Sequence, residues 1–376
     1  MQGGVRSCGL ARRDHGLNKR RGCGECPGGD DEGEKLRNIL FSATRQFNPG
    51  DELILFGVLN VLDALGVKYN RLLYNRHPMI TPNRRSKRLL FRRSWHSDNS
   101  FYLDDPAAVD YLVIAGSPEW RIGGRMEALF RFVIENRVPC AFLAVGAGSG
   151  GTFSVNGRDH HLLRAVLENS CELVTVRDKA AECALKDYDP HLLPCTALFA
   201  SRTQRLRTAP GVVGLVFQNC TQRFNSVNTA TYEYLLAQYR RIMDEHTCVV
   251  ICHTCADFIA ARRAFPDADT RYSALAEDYE AIFDACDLVV GPRVHGSGLA
   301  ASLGIPNVLV QHSARGLTGW GFLSVTARPG DDLPALIDRV DVKTESEKLM
   351  EWKRMWLERT MELVRGGTSL CGGKPE

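Results

Sequence analysis

The feature that most constrains this chain is an order of segments that it spells out twice. Short runs of Val, Ile, Leu and Ala, each closed by a turn, alternate with stretches whose apolar residues recur at helical spacing. The first series holds candidate strands at 37–44, 110–118, 139–151 and the start of 171–187, and candidate helices at 51–66, 125–137, 159–170 and the end of 171–187. A polar, basic, turn-rich stretch at 193–211 interrupts it. The series then restarts, with strands at 212–219, 247–254, 287–293 and 306–312 and helices at 228–245, 277–286 and 296–304. Strand runs that are apolar throughout, joined through helices of roughly 10–15 residues, predict parallel sheets covered on both faces. The fold class is therefore α/β, with two similar lobes. A last amphipathic helix is expected over 345–367, stopped by Gly366 and Gly367. The expected boundaries are a tail at 1–36, lobes at 37–204 and 205–330, and a C-terminal helix and tail at 331–376.

Composition narrows the class. The 376 residues are 44% hydrophobic, ordinary for a soluble globular protein, and carry a net charge of +3, too small by itself to point to nucleic acid or a membrane surface. No apolar run reaches the ~18 residues of a membrane span, and no leader is visible, so a cytoplasmic location is expected. Residues 1–36 are rich in Gly, Arg and acidic residues, and that composition predicts disorder. Cys23 and Cys26 form a CxxC there, but zinc requires four ligands, which only Cys8 and His15 could complete; no metal is expected. The thirteen cysteines are scattered, with Cys140, Cys171, Cys183, Cys248 and Cys286 in apolar runs, which predicts buried thiols. Cys248, Cys252 and Cys255 have the CxxxCxxC spacing of an iron–sulfur site, yet the first two fall within a strand, which cannot curl three thiolates round one cluster.

In such sheets ligands bind beyond the carboxyl ends of the strands. The first strand is followed by Asn48, Gly50 and Asp51 at a helix start, the next by Gly116 and Ser117, the third by Gly146, Gly148, Gly150 and Gly151. The glycine run is not the GxGxxG of a dinucleotide site. Arg177 and Asp178 end the fourth run. In the second lobe, Gln218, Asn219 and His253 sit at strand ends, and "GPRVHGSG" places Arg293 and His295 before Gly296, Ser297 and Gly298. Arg177 and Arg293 are expected at corresponding positions of the two lobes, as a guanidinium pair for a small polyanion. Arg293 and His295, two apart in an extended stretch, are expected to point to one side, and Gly296–Gly298 to open the next helix around an anion. Six Lys/Arg at 84–93, ahead of Trp95 and His96, read either as a solvated loop or as a patch for a pyrophosphate-linked sugar or RNA.

Taken in order, "FNPGDELI", "YLVIAGSPEW", "LAVGAGSGG", "VTVRDKAA" and "GPRVHGSGLAASLGIPNVLV" resemble the polysaccharide pyruvyl transferase family over roughly 37–325. The last stretch carries the R-x-H-x-x-x-x-A-x-x-x-G-x-P pattern at Arg293, His295, Ala300, Gly304 and Pro306. Two departures stand out. Cys195-Thr196 occupies a segment that is usually Pro-Asp-Pro-like, and Arg315 stands where a Lys often follows the last strand.

The resemblance implies two Rossmann-like lobes in a GT-B-like arrangement with a cleft between them. It implies transfer of the pyruvyl group of phosphoenolpyruvate onto a saccharide as a ketal, with loss of phosphate and no cofactor or metal. The acceptor would be free or linked through pyrophosphate to a nucleotide or lipid. His295 and Asp51 are then the catalytic candidates. Arg177, Arg293, Asn48, Gly50, Gly116, Gly146, Gly148, Gly296 and Ser297 are the substrate-binding ones. The alternatives are a GT-B glycosyltransferase or nucleotide-sugar enzyme on the same fold, and a non-catalytic protein holding RNA through the basic run.

Overall fold

A computed structural model describes residues 36–44, 49–76, 106–118, 126–147, 160–220 and 227–371. The expectations for the N-terminal tail up to residue 35, for the basic run 84–93, and for Asn48 and Gly148 lie outside the described residues.

The first lobe is a six-stranded sheet of β1 (Arg37–Ala43), β2 (Tyr69–Asn75), β3 (Tyr111–Ala115), β4 (Cys140–Val145), β5 (Cys171–Val176) and β6 (His191–Leu192), in the order β2-β1-β3-β4-β5-β6. The second sheet holds β7 (Val213–Phe217), β8 (Cys248–Cys252), β9 (Asp269–Tyr272), β10 (Leu288–Gly291), β11 (Asn307–Val310) and β12 (Val325–Ala327), in the order β12-β11-β10-β7-β8-β9. All the recorded strand pairs are parallel. The strand order reverses between β1 and β3 in the first sheet and between β7 and β10 in the second. Those are the points where a parallel sheet opens a crevice at its carboxyl edge.

The crossover helices are α1 (Pro49–Ala64), α2 (Glu127–Asn136), α3 (His161–Asn169) and α4 (Lys179–Ala184) in the first lobe. In the second they are α5 (Thr229–Glu245), α6 (Cys255–Ala264), α7 (Tyr279–Asp284) and α8 (Val294–Ser302), followed by α9 (Leu333–Ile337) and α10 (Val342–Gly367). The starts are set by side-chain caps: Asp178, Asn228, Thr254, Asp332 and Asp341 each accept a backbone N–H from the first turn.

One apolar cluster runs through both lobes. It joins Ile39, Phe41 and Val113 of the first sheet, Leu53 and Val58 of α1, Val216 and Val289 of the second sheet, Leu299 and Ala300 of α8, and Leu349 of α10. Its centre is the 3-10 turn Thr196–Phe199, whose residues are all buried. This corrects the expectation of a polar connector at 193–211. The first half of that stretch is a wedge between the lobes; only the part beyond it is largely exposed. Thr196 Oγ1 donates to the Ile54 carbonyl at 2.9 Å. Gly57 gives this turn its room, since a Cβ there would meet the Thr196 carbonyl oxygen at 1.7 Å.

The long helix α10 ties the two lobes from one side. Lys353 Nζ donates to the carbonyls of Ser201 (2.9 Å) and Ser302 (2.7 Å). Beyond its end, Ser369 N and Oγ donate to Glu172 Oε2 at 2.8 and 3.1 Å, and Arg37 donates to the Ser369 carbonyl at 2.5 Å. The described cysteines are all free, and Cys140, Cys195, Cys252 and Cys286 are buried. Cys183, expected inside, is exposed on the short helix α4, and Cys255 is exposed at the start of α6.

Candidate active site

The carboxyl ends of β5 and β10, the first turn of α1 and the turn after β11 meet at the mouth of the shared core. β5 delivers Arg177 and α1 delivers Gly50 and Asp51. The link from β10 to α8 delivers Arg293 and His295, and the turn after β11 delivers His312 and Arg315.

Arg177 is 9% exposed. Its NH1 donates to Cys195 Sγ at 3.2 Å and lies 3.2 Å from His295 Nε2. Its Nε is buried without a hydrogen-bond partner. Among the described residues it makes no ion pair within 4 Å, although Asp178 and Asp51 lie within electrostatic reach. Burial alone would lower its pKa, but Cys195, Asp178 and Asp51 outweigh that and raise it. Its carbonyl accepts the Trp320 indole N–H at 3.1 Å.

Arg293 is also buried, but it is paired. NH2 makes a short ion pair with Asp257, a side chain with no exposure, and Nε points to the Phe217 carbonyl at 3.5 Å. Asp257 Oδ1 accepts the Asn219 N–H at 3.0 Å, and the Asp257 N–H is capped by Thr254 Oγ1 at 3.1 Å. One carboxylate thereby joins the ends of β7, β8 and β10. Among the described residues the NH1 edge of Arg293 makes no hydrogen bond.

The two arginines are not at corresponding positions. Arg293 leaves the strand at its sheet's reversal point, whereas Arg177 leaves β5, two strands away from the reversal beside β3. They converge because the lobes face each other, not because the lobes repeat.

His295 lies half-buried in the first turn of α8, which begins at Val294. The expected extended Arg-x-His stretch is thus a helix start, with Arg293 in extended backbone (φ −98°, ψ 107°) as the residue before it. Burial pushes the His295 imidazole well below its usual pKa, and Arg177, Arg315, His253 and Arg293 push the same way. His253 is buried and likewise held neutral by burial and Arg293; its ring meets Tyr279 edge to face at 5.3 Å. Burial, then Arg293 and Arg315, lower His312, against a hydrogen bond that its ring donates to the Pro292 carbonyl. Arg315 is exposed, and the partial desolvation it does have lowers its pKa, with Asp51 opposing and Arg177 and Arg293 adding to it.

Several of these glycines make room for neighbouring side chains. A Cβ on Gly50 would lie 2.6 Å from His295 Nδ1, one on Gly146 2.6 Å from Arg177 Nε, and one on Gly298 2.9 Å from the Ala197 Cβ. Gly296 faces the His253 ring, and Ser297 is buried inside α8, its N–H bonded to the Arg293 carbonyl at 3.2 Å. Gly116 turns the chain at φ +81° and gives its N–H to the Leu143 carbonyl at 2.8 Å. Gly146 exchanges hydrogen bonds with Ser117 Oγ at 2.7 and 3.2 Å. The N–H groups of Gly116 and Gly146 are thus committed to a neighbouring carbonyl and hydroxyl.

The structure brings Asp51, Arg177, Arg293 and His295 into one neighbourhood. It adds Asp257, His312 and Trp320, which sequence reading passed over. The Thr254-x-x-Asp257 spacing was a visible sign of a helix cap, but nothing in sequence tied it to Arg293.

Solved structures place the fold. The chain superposes on a Listeria monocytogenes protein assigned as a UDP-N-acetylglucosamine 2-epimerase with a TM-score of 0.56 at 9% identity, covering 91% of this chain and 99% of that one. It superposes on the S. aureus MnaA–UDP structure with a TM-score of 0.54 at 12% identity, over 91% and 99%. At such identities the likeness establishes the GT-B-like pair of Rossmann-like lobes and nothing finer. No curated protein matches the sequence. The sequence model of the polysaccharide pyruvyl transferases, however, matches residues 48–313. That span runs through both lobes and takes in Asp51, Arg177, Asp257, Arg293 and His295 alike, so the chain belongs to the polysaccharide pyruvyl transferase family.

Proposed function

We propose that this transferase takes the pyruvyl group from phosphoenolpyruvate and joins it to two hydroxyls of a saccharide as a cyclic ketal, releasing inorganic phosphate. The observation that carries the reading is the Arg177 guanidinium. A buried charge is costly unless it is paired, and this one has a thiol, an imidazole and an unpartnered Nε–H around it. Arg293 and Arg315 share its cleft. Such a set of guanidiniums suits a small ligand bearing both a carboxylate and a phosphate.

The chemistry assigns work to each group. Protonation of C3 of the enol creates positive charge at C2. One sugar hydroxyl adds there, the C2–O bond to phosphate breaks, and a second hydroxyl closes the ketal, its proton leaving with the phosphate. Arg177 and Arg293 hold the anionic ends and stabilise the departing phosphate. His295, at the cleft centre, supplies a proton to C3 or to the phosphate. Asp51, in the first turn of α1, takes the proton of an attacking hydroxyl. The burial of the cluster strengthens each of these interactions.

The test is incubation with phosphoenolpyruvate and a panel of free and pyrophosphate-linked sugars. Phosphate release and a mass gain of about 70 Da on the acceptor are expected, both lost in Arg177→Ala. Thermal stabilisation by uridine nucleotides but not by phosphoenolpyruvate would replace this reading with a nucleotide-sugar enzyme.

A further inference from the structure

We propose that His295 has no proton on Nε2 in the empty cleft and acquires one when the anion binds, so that ligand and proton enter this site together. The inference rests on reading the cleft as the donor-anion site.

The geometry that points to it is the 3.2 Å approach of Arg177 NH1 to His295 Nε2. A guanidinium has only donors. The imidazole nitrogen facing it must therefore offer its lone pair, which leaves the ring neutral with its hydrogen on Nδ1. A general acid needs the opposite arrangement. While Arg177 donates to Nε2, His295 cannot hand a proton from that atom to a substrate.

The charged and titratable surroundings act in the same direction. Arg177 comes from the end of β5, Arg293 from the end of β10, and Arg315 from the turn after β11. His253 comes from the end of β8 and His312 from the end of β11. Asp51 on α1 acts on Arg177 and Arg315, Asp178 and Cys195 act on Arg177, and Asp257 is committed to Arg293. Three guanidiniums face one imidazole, and the one close carboxylate among the described residues that is not bonded elsewhere in the cluster is Asp51. An incoming dianion changes both terms at once. It draws the Arg177 N–H groups off Nε2 and onto its own oxygens, and it cancels the positive field that opposed an imidazolium. The proton is taken from solvent, no bond to carbon is involved, and the site is armed only when occupied. Phosphoenolpyruvate without a proton on His295 would be held but not activated.

Sulfate is the probe of choice, because it stays a dianion through neutral pH and any proton taken up belongs to the protein. Calorimetry at pH 7 in two buffers of different ionisation enthalpy is expected to show net proton uptake on sulfate binding. The affinity is expected to weaken as pH rises, by up to about tenfold per pH unit for one linked proton. Nitrogen-15 spectra should show His295 as the Nδ1–H tautomer in the empty protein and as imidazolium with sulfate bound. His295→Gln is expected to bind sulfate with no uptake, while His253→Gln keeps it. Binding without proton exchange, an imidazolium already present in the empty protein, or uptake that survives His295→Gln would each overturn the proposal. Proton-linked sulfate binding that phosphoenolpyruvate cannot displace would overturn the donor assignment and leave the linkage standing. Failure of both anions to bind would remove both.

Discussion

Arg177 and Arg293 bring the same group into one cleft, and the lobes hold them in opposite ways. The second lobe fixes Arg293 with a buried carboxylate that also ties three strand ends together. The first lobe leaves Arg177 against a thiol and a histidine lone pair, partners that a ligand oxygen can outbid. The difference teaches how a site divides its work. A paired arginine is a fixed post with one free edge, and an unpaired one is a hand that changes its grip. Both kinds are needed where an anion must be positioned and must also switch the state of a neighbouring acid.

The contrast can be broken most forcefully at Asp257. Asp257→Ala strands a buried guanidinium, and a loss of about 3–5 kcal/mol in unfolding free energy is expected. Cys195→Ala, which removes the corresponding partner of Arg177, should cost about 1 kcal/mol or so. Urea denaturation of the pair decides it, and equal losses would dissolve the distinction. Next in size are the lysine replacements. Arg177→Lys and Arg293→Lys should each weaken phosphoenolpyruvate binding by roughly 10- to 100-fold, because an ammonium cannot present two parallel donors. Only Arg293→Lys should also lower the melting temperature. A sharper and smaller test makes the lobes alike: Cys195→Asp offers Arg177 its own carboxylate, and anion affinity should fall about tenfold with no loss of stability. Unchanged affinity would mean that the soft partner is incidental.

The smallest effect concerns Lys353, where the lobes share one cation. Burial pulls its pKa down to about 8, with Glu280 opposing. The unfolded chain, with lysine near ~10.4, holds more protons between those values. Stability should therefore gain with rising pH from about 8 to 10 relative to Lys353→Met, as read by denaturation across that range.

Much of this fold was legible in the sequence, and the failures have one physical pattern. The strands foreseen, β1, β3, β4, β5, β7, β8, β10 and β11, are the interior ones, covered on both faces and apolar throughout. The strands missed, β2, β6, β9 and β12, are the sheet edges. "YNRLLYN" and "DTRY" have one unpaired side and mixed burial, so no continuous apolar run marks them. At the site, residue types at strand exits were readable, because topology dictates that ligands gather there. Distances across the lobes were not. Nothing local in "TCAD" announces that Asp257 will meet Arg293, and nothing in "LPCT" announces that its thiol will face Arg177. Helix α8 began two residues early because Val294 continues from an arginine with no side-chain cap, leaving no residue to mark its start.

The anchoring of Ser369 on Arg37 and Glu172 has a consequence for how the molecule is made. Arg37 and the residue that accepts its hydrogen bond are 332 positions apart. At roughly 5–20 residues per second on a ribosome, the first strand waits some fifteen seconds to a minute for that partner. The first lobe must therefore persist through synthesis of the second with the side of its sheet beneath α10 uncovered. Its sheet gains this last anchor only after the second lobe has been synthesised.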